Sequence, residues 1–197
     1  QQLNRLGEFD VYGIGSLVPS VFNARGVGGI HNVIRILSYV RKLLPKKIIH
    51  VFGVGSAVTM HLMYAAGADS LDSSSWRSKA AFGAIQLPGI GDRFITGRAG
   101  KATGKKYLNL SRDEKKTLEE CRCPVCKQEG LPELKRSFSK RALHNAWVLQ
   151  KEVEKARKLV KDNRYDNYIE KVVTRSRFRN ALELARTLET TSLYSMR

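Results

Sequence analysis

An alternation of short β-prone runs with helical patterns is the sequence feature that most constrains the fold of this chain. The β-prone runs are Phe9–Val18, Lys47–Phe52 and Ala68–Asp72, and amphipathic helical patterns lie between them at His31–Leu44 and Ala57–Ala66. Pro45 and Gly67 directly follow the two helical patterns and are typical helix stop signals. Strands and helices that alternate over such short distances are typical of right-handed parallel βαβ units.

Three such units are too few to complete a fold. A (β/α)8 barrel needs eight strands, and an open parallel sheet of three strands would leave its edges uncovered. The sequence therefore predicts an α/β chain that is incomplete, or that pairs with a complementary chain or with a second copy of itself.

The chain also carries a large positive charge. Its formal net charge is +17 at pH 7, with a pI of about 10.1. Such a charge favours an anionic partner, and nucleic acid fits better than a membrane because no stretch is apolar for the roughly 20 residues that a span needs. Charge alone leaves open whether the binding is specific or is a general attraction to polyanions.

The N-terminal residues and the cysteines bear on the compartment. No basic stretch is followed by an apolar run at the N-terminus, so the sequence predicts no secretory signal and a cytoplasmic location. All three cysteines lie between positions 121 and 126, whereas a disulfide framework would spread an even number along the chain. This pattern favours a metal site in a reducing compartment.

The window Cys121-Arg-Cys123-Pro-Val-Cys126 places three thiols on a tight turn. Thiolates this close repel one another unless a cation neutralises them, and zinc is the ion that we expect. A structural zinc site needs a fourth ligand, and the histidines available are His31, His50, His61 and His144. We expect His144, the nearest in sequence, to complete a closed structural site. The alternative is three free thiols and a surface histidine.

Beyond Pro88 the pattern changes to β-prone pieces separated by glycines, and then to long helices. Pieces at Arg93–Thr96 and Lys106–Leu110 predict a hairpin. Ser139 is the expected N-cap of a helix that runs to about Lys161. Shorter helices are expected at Tyr168–Val172 and Phe178–Leu188.

Five short motifs follow one another along the chain. They are YGIGSLVP at Tyr12–Pro19, HVFGVGS at His50–Ser56, GADSLDS at Gly67–Ser73, CRCPVC at Cys121–Cys126 and LHN at Leu143–Asn145. In this order they resemble the tRNA-guanine transglycosylase (queuine/archaeosine tRNA-ribosyltransferase) family. The resemblance extends from Phe9 to about Leu188 but corresponds only to the C-terminal half of that family.

The resemblance implies a fold and a division into three regions. Residues 1–88 would form the C-terminal strands and helices of a TIM-type (β/α)8 barrel. Residues 89–137 would form a hairpin and zinc-binding insertion, and residues 138–197 a helical segment that carries the fourth zinc ligand. The remaining barrel strands would then belong to polypeptide outside this chain.

The resemblance also implies a chemistry, with Asp72 at the position of the family's nucleophile. A carboxylate there attacks the anomeric carbon of a nucleotide as guanine leaves, and a 7-deazaguanine base then displaces it from the covalent intermediate. Asp72 falls at the end of a barrel strand, where such folds keep their reactive groups. Asp69 lies earlier in the same run. A carboxylate at this position can also be a loop or strand-start residue without a catalytic role.

Other positions correspond to binding residues of the family. Gly15, Ser16 and Leu17 would contact the bound base through their backbone, although Ser16 replaces a second glycine; the alternative is a simple strand-ending turn. Arg77 and Lys79 would contact the nucleic acid beside the extruded base; the alternative is a solvated charged loop.

Some features depart from the tRNA-acting members. LDSSSW at Leu71–Trp76, the short spacing from Cys126 to His144 and the run QLPGIGDR at Gln86–Arg93 favour a divergent branch that inserts 7-deazaguanines into DNA, with tRNA as the alternative substrate.

The family's second aspartate and its guanine-reading groups lie in the N-terminal half, so we expect this chain alone to be inactive. Two further alternatives remain. One is a noncatalytic, zinc-stabilised subunit that binds nucleic acid. The other is an unrelated barrel enzyme that binds phosphate at the turn Gly53–Ser56.

Overall fold

The computed structural model describes residues 9–18, 29–96, 110–174 and 178–194. The strands are β1 (Val11–Ile14), β2 (Ile48–Val51), β3 (Ser70–Leu71), β4 (Ala84–Leu87) and β5 (Gly91–Phe94). The helices are α1 (Gly29–Leu43), α2 (Thr59–Ala65), α3 (Ser75–Ala81), α4 (Arg112–Glu119), α5 (Pro124–Gln128), α6 (Gly130–Arg136), α7 (Phe138–Lys161), α8 (Tyr165–Thr174) and α9 (Arg179–Tyr194). The described residues are therefore α/β, with two small sheets.

The chain divides into two compact units. The sheet unit contains Gln1–Ser73 and Val173–Arg197, and the hairpin unit contains Ser74–Val172. The sheet unit is thus built from two stretches of sequence that flank the hairpin unit. This division assigns α9 to the sheet unit.

Strands β1, β2 and β3 form a parallel sheet in that order. Val11 is in register with Ile48, and His50 is in register with Ser70. The predicted parallel βαβ arrangement is therefore confirmed. Because all three strands run in one direction, their carboxyl ends lie at the same edge of the sheet. Within the described ranges the sheet has these three strands and does not form a complete barrel.

Apolar faces of the helices form the core of the sheet unit. In α1 the side chains of Val33, Ile34 and Leu37 are fully buried, and each contributes about 1.5–3 kcal/mol by leaving water. Helix α9 packs against α1 and α2. The predicted helices at His31–Leu44 and Phe178–Leu188 are therefore confirmed, with bounds that differ by a few residues.

The hairpin unit contains the antiparallel pair of β4 and β5, in which Leu87 faces Gly91 across the turn. The sequence predicted a hairpin here but placed its first strand at Arg93–Thr96, which overlaps β5. It missed β4, because this four-residue strand has the polar Gln86 at its centre and follows a helix directly. The predicted strand Lys106–Leu110 lies outside the described residues, apart from Leu110.

Helix starts in the hairpin unit follow capping chemistry. Ser137, and not Ser139, is the N-cap of α7, because the Ser137 hydroxyl accepts the backbone N–H of Lys140 at 3.4 Å. Helix α4 was not predicted, although Ser111 and Glu114 form a reciprocal capping box at its start. The S-x-x-E pattern at these positions is a sequence signal that could have identified it.

Helix length and polarity bear on membrane association. Helix α7 has 24 residues, with lysines and glutamates along its length. Over the ranges given above, the structure contains no helix that combines the length and the apolar character needed to cross a bilayer.

Replacing Gly83 by alanine is expected to destabilise the hairpin unit. Gly83 has φ +79°, and a Cβ at this position would lie 1.7 Å from Oγ1 of Thr96. The positive φ costs an L-residue about 1–2 kcal/mol, and the overpacking adds about 1–3 kcal/mol. Chemical denaturation of the two proteins would measure the loss in the free energy of unfolding.

Gly130→Ala is the matched control. Gly130 has φ +67°, but its nearest neighbour, Cδ of Pro132, would lie 3.8 Å from an added Cβ. Gly130→Ala should lose only the part of the free energy of unfolding that the positive φ costs, without the overpacking. Equal losses in the two variants would contradict the steric argument.

Candidate functional site

Three cysteine sulfurs and one imidazole nitrogen converge in the hairpin unit. Nδ1 of His144 lies 3.9 Å from Sγ of Cys121, 3.5 Å from Sγ of Cys123 and 3.3 Å from Sγ of Cys126. The four candidate ligand atoms all lie within 4.8 Å of one another. The structure thus brings together the four residues that the sequence nominated as a metal site.

Local backbone structure explains this convergence. Cys123 is the N-cap of α5, and its sulfur accepts the backbone N–H of Cys126 at 3.2 Å. Pro124 follows in the first turn, where its fixed φ favours a helix start. The C-P-x-C turn therefore sets Cys123 and Cys126 around one point, and Cys121 approaches from the segment just before it.

The second ring nitrogen of His144 fixes how the imidazole faces the sulfurs. Nε2 lies 3.0 Å from the backbone carbonyl of Gln86 on β4. A carbonyl can only accept, so Nε2 carries the proton and donates it. Nδ1 is therefore the nitrogen that faces the thiols, and a metal ion that displaced its proton would find its lone pair directed at the site.

The cluster concentrates charge even without a metal ion. Hydrogen bonds from Cys121 and Cys126 hold the pKa of the Cys123 thiol far below its usual value of 9.0, whereas the thiols of Cys121 and Cys123 raise the pKa of Cys126. Burial lowers the pKa of His144, but hydrogen bonds with Cys121 and Cys123 outweigh it and raise that pKa to about 9. A divalent cation would neutralise the thiolates and displace the remaining protons.

The surroundings fit a closed metal site. Cys123 and His144 are fully buried. An apolar cluster encloses the site and consists of Ile85, Leu87, Ile95, Leu110, Leu118, Val125 and Leu134, with Ile90, Leu131 and Trp147 packed against it. Soft sulfur and imidazole donors in such a setting suit a transition-metal ion. The four residues could therefore hold one.

Asn145, next to the candidate ligand His144, is a structural residue that the sequence analysis did not assign. Its side-chain oxygen accepts the backbone N–H of Gln86 at 2.7 Å, and its amide nitrogen donates to the carbonyls of Trp76 and Ala84, each at 3.1 Å. Asn145 is fully buried and joins α7 to β4 and α3. The polar pair in the LHN motif was the available signal, because buried polar groups need partners.

The second candidate site lies in the sheet unit and contains Asp72. Asp72 follows β3 directly, and its Oδ1 accepts the backbone N–H of Gly53 at 2.9 Å. Nε2 of His50 lies 3.5 Å from the same oxygen. The Asp72 side chain nevertheless retains 58% of its exposure. It is therefore held at one oxygen and open to solvent, as a reacting carboxylate must be.

Asp69 has a different environment, although it is close in sequence. Its Oδ2 accepts the backbone N–H of Ile49 at 2.8 Å and forms an ion pair with Arg41. The Arg41 guanidinium also donates to the carbonyl oxygens of Gly67 and Lys47. Asp69 therefore ties β3 to β2 and to the end of α1, which is a structural role.

The predicted base-binding residues Gly15, Ser16 and Leu17 follow β1, so they lie at the same edge of the sheet as Asp72. Ser16 has φ +60°, a left-handed conformation that favours glycine. Ser16 therefore adopts a backbone conformation that is more typical of glycine. A Cβ on Gly15 would meet no atom within 4 Å among the described residues, so packing within them does not require glycine there.

Phe52 is an exposed aromatic residue that the sequence analysis did not single out. It follows β2, retains 51% of its exposure and makes an edge-on contact with His50, at 4.5 Å between ring centroids. Cε2 of its ring would lie 2.5 Å from a Cβ on Gly13, so the ring covers that glycine. The edge of the sheet therefore offers a flat apolar surface beside Asp72.

The two predicted nucleic-acid contacts lie on α3 and differ in their surroundings. Nζ of Lys79 lies 2.5 Å from Oδ2 of Asp92, and the Lys79 side chain retains 21% of its exposure. The charge of Lys79 is therefore largely neutralised within the hairpin unit. Arg77 is exposed to solvent.

Comparison with known proteins identifies relatives of this chain. The family model described as queuine tRNA-ribosyltransferase matches residues 1–177. The chain is 28% identical over 169 residues to a tRNA-guanine(15) transglycosylase of Archaeoglobus fulgidus, and this match covers 83% of the chain and 30% of the relative. It is 30% identical over 166 residues to the enzyme of the same name from Aeropyrum pernix, with 81% of the chain and 28% of the relative covered.

These matches also define what the chain shares with its relatives. The chain spans less than a third of the length of each of them. Both relatives are named for activity on tRNA, so the comparisons do not support the expectation of a DNA-modifying branch. The resemblance that the motifs indicated is confirmed by the family match over residues 1–177. The chain belongs to the queuine tRNA-ribosyltransferase family.

Proposed function

We propose that this chain is the C-terminal part of a tRNA-guanine transglycosylase in which Asp72 is the nucleophile. The observation that carries the proposal is the environment of Asp72. One carboxylate oxygen is held by the Gly53 backbone, while the side chain stays largely exposed at the strand edge that also bears Gly15. Asp69, the other carboxylate of that run, is committed to Arg41 and Ile49.

The chemistry follows from a carboxylate beside a nucleotide. The Asp72 carboxylate attacks C1′ of the ribose, the bond from C1′ to N9 of guanine breaks, and an ester between Asp72 and C1′ forms. The ring nitrogen of the incoming 7-deazaguanine base then attacks C1′ and releases the carboxylate. The nitrogen of the departing guanine takes up a proton, and the nitrogen of the incoming base loses one. The group that transfers these protons belongs to the other half of the enzyme.

The substrate we propose is tRNA. The named activity of the relatives and the net charge of +17 support a polyanionic RNA partner. Gly15, Ser16 and Leu17 would present backbone groups to the bound base, next to the exposed ring of Phe52. Arg77 is better suited than Lys79 to contact a phosphate, because Asp92 already neutralises the lysine.

For the metal centre we propose structural zinc, held by Cys121, Cys123, Cys126 and His144. Three thiolates and one imidazole are a common ligand set of structural zinc sites, and four protein ligands leave no open position for water. The full burial of Cys123 and His144 supports such a site. When bound, the ion would neutralise the thiolates and fasten α5 to α7. It would take no part in base exchange.

The reaction also requires residues beyond this chain. We propose that the three parallel strands are the last strands of a (β/α)8 barrel whose other strands, with a second aspartate and the guanine-reading groups, belong to further polypeptide. The share of each relative that the chain spans, 30% and 28%, supports this proposal.

Asp72→Asn is expected to lower kcat for base exchange by about 1,000-fold or more, because the amide cannot form the glycosyl ester. Incorporation of radiolabelled guanine into tRNA by the full-length enzyme would measure it. Asp113→Asn is the control, because Asp113 is an exposed carboxylate in the first turn of α4. If Asp72→Asn retained activity, Asp72 would not be the nucleophile. If the parent enzyme showed no exchange while still binding tRNA, the noncatalytic subunit would be favoured.

Purified protein is expected to contain one zinc ion per chain. Either Cys123→Ser or His144→Ala should abolish zinc binding. Removal of zinc should lower the Tm of the protein, because structural sites contribute about 10–16 kcal/mol of apparent binding free energy at neutral pH. Atomic absorption and calorimetry would measure both effects. His31→Ala is the matched control and should retain the metal. Zinc-free protein with an unchanged Tm would contradict a structural role.

The 197-residue chain alone is expected to show no base exchange with either polymer. Together with the remaining barrel segment it should label tRNA and leave duplex DNA unlabelled. Parallel filter assays with labelled guanine and the two polymers would measure this. Labelling of DNA would support the hypothesis of a DNA-modifying branch. Exchange by the chain alone would show that the 197 residues contain a complete active site.

A further inference from the structure

His50 lies between Ser70 and the proposed nucleophile Asp72. Nδ1 of His50 lies 2.8 Å from the hydroxyl oxygen of Ser70, and Nε2 lies 3.5 Å from Oδ1 of Asp72. The His50 side chain retains 24% of its exposure, with the Phe52 ring edge-on against it. A polar chain therefore runs from Ser70 through the imidazole to the carboxylate.

Strand register produces this arrangement. His50 on β2 is directly opposite Ser70 on β3. Side chains two residues apart in an extended segment point to the same face, so Asp72 follows Ser70 on the face that the imidazole occupies. A ring opposite the first of these residues can reach both.

The two contacts together select one tautomer of His50. An unprotonated Nε2 would turn its lone pair toward the Asp72 carboxylate, and the two would repel each other. With the proton on Nε2, the ring donates toward Oδ1, and Nδ1 accepts the hydroxyl hydrogen of Ser70. Such contacts are often long in the absence of substrate and tighten once it binds.

The same geometry distinguishes the two carboxylate oxygens of Asp72. Oδ1 faces both the N–H of Gly53, at 2.9 Å, and the Nε2 of His50. Oδ2 receives no hydrogen bond from the residues that the structure describes. One oxygen is thus anchored and the other is available for a new bond.

We propose that His50 is a positioning residue that, with Ser70 fixing its tautomer, holds Oδ1 of Asp72 so that Oδ2 attacks the sugar. The proposal rests on the function proposed above. In the glycosyl ester, Oδ2 bonds to C1′ and Oδ1 becomes the ester carbonyl oxygen. When the incoming base displaces the ester, negative charge returns to the carboxylate, and hydrogen bonds from Gly53 and His50 to Oδ1 stabilise it.

Kinetics of the full-length enzyme test the proposal. His50→Phe keeps an aromatic ring but removes both nitrogens, and kcat for guanine exchange should fall on the order of 100-fold with KM for tRNA little changed. His50→Gln can place an amide N–H near the position of Nε2 and should recover a substantial part of that loss. Ser70→Ala should lower kcat less than His50→Phe does, and Ser78→Ala, on the exposed face of α3, is the control.

Some kinetic outcomes would contradict the positioning role of His50. A His50→Phe enzyme with unchanged kcat, or with a change confined to KM, would overturn the positioning role. The same holds if His50→Gln were no better than His50→Phe.

A spectroscopic measurement keeps the test independent of catalysis. In full-length protein labelled with ¹⁵N-histidine, the nitrogen shifts of His50 should report the Nε2–H tautomer. Asp72→Asn and Ser70→Ala should each perturb these shifts, and Ser78→Ala should not. An Nδ1–H tautomer, or ¹⁵N shifts of His50 that are unchanged in Asp72→Asn, would refute the inference even in an active enzyme. If Asp72→Asn retains full exchange although the shifts respond, the proposed function fails. If Asp72→Asn loses exchange while His50→Phe keeps its kcat, only the positioning role fails.

Discussion

One imidazole ring connects the secondary structure of the hairpin unit to its candidate metal centre. Through Nε2 His144 donates to the Gln86 carbonyl of β4, and through Nδ1 it faces three cysteine sulfurs. The adjacent Asn145 bonds the N–H of the same Gln86, so two successive residues of α7 satisfy both backbone groups of one strand residue. The orientation of β4, the tautomer of the ring and the convergence of the thiols therefore depend on one another.

In the sheet unit the corresponding constraint is the shared direction of three strands. Parallel pairing brings the residues after β1, β2 and β3 to one edge, where Ser16, Phe52 and Asp72 follow their strands. This edge of the sheet is open to solvent. Ser16 has a left-handed φ, and the Phe52 side chain is half exposed. Asp69 and Arg41 sit toward the other end of β3 and stabilise it. Within one short segment of chain, the Asp69 carboxylate is engaged by Arg41 and the Ile49 N–H, whereas Asp72 keeps one oxygen without a hydrogen bond from the described residues.

The sequence predicted those features that depend on local pattern. Helical periodicity identified α1, α7 and α9. The spacing of the cysteines and the nearness of His144 in sequence pointed to four residues that converge in the structure. Features that depend on tertiary partners were not predictable in this way. Strand β4 is short and polar at its centre, and it becomes a strand only because Asn145 and β5 satisfy its backbone. Likewise, nothing in the residues around His50 indicated that strand register would set it opposite Ser70.

The discontinuity of the sheet unit affects how the chain can fold. Helix α9 packs against α1 and α2, although the whole hairpin unit separates them in sequence. Closing a flexible loop of that length costs about 4 kcal/mol of chain entropy. A compact intervening unit acts as a short tether instead of a long coil and removes much of that cost. An ion that orders Cys121 through His144 would thus speed the docking of a helix that it never touches. A metal ion held by the four candidate ligands would then favour folding of the sheet unit as well, including the segment that carries Asp72.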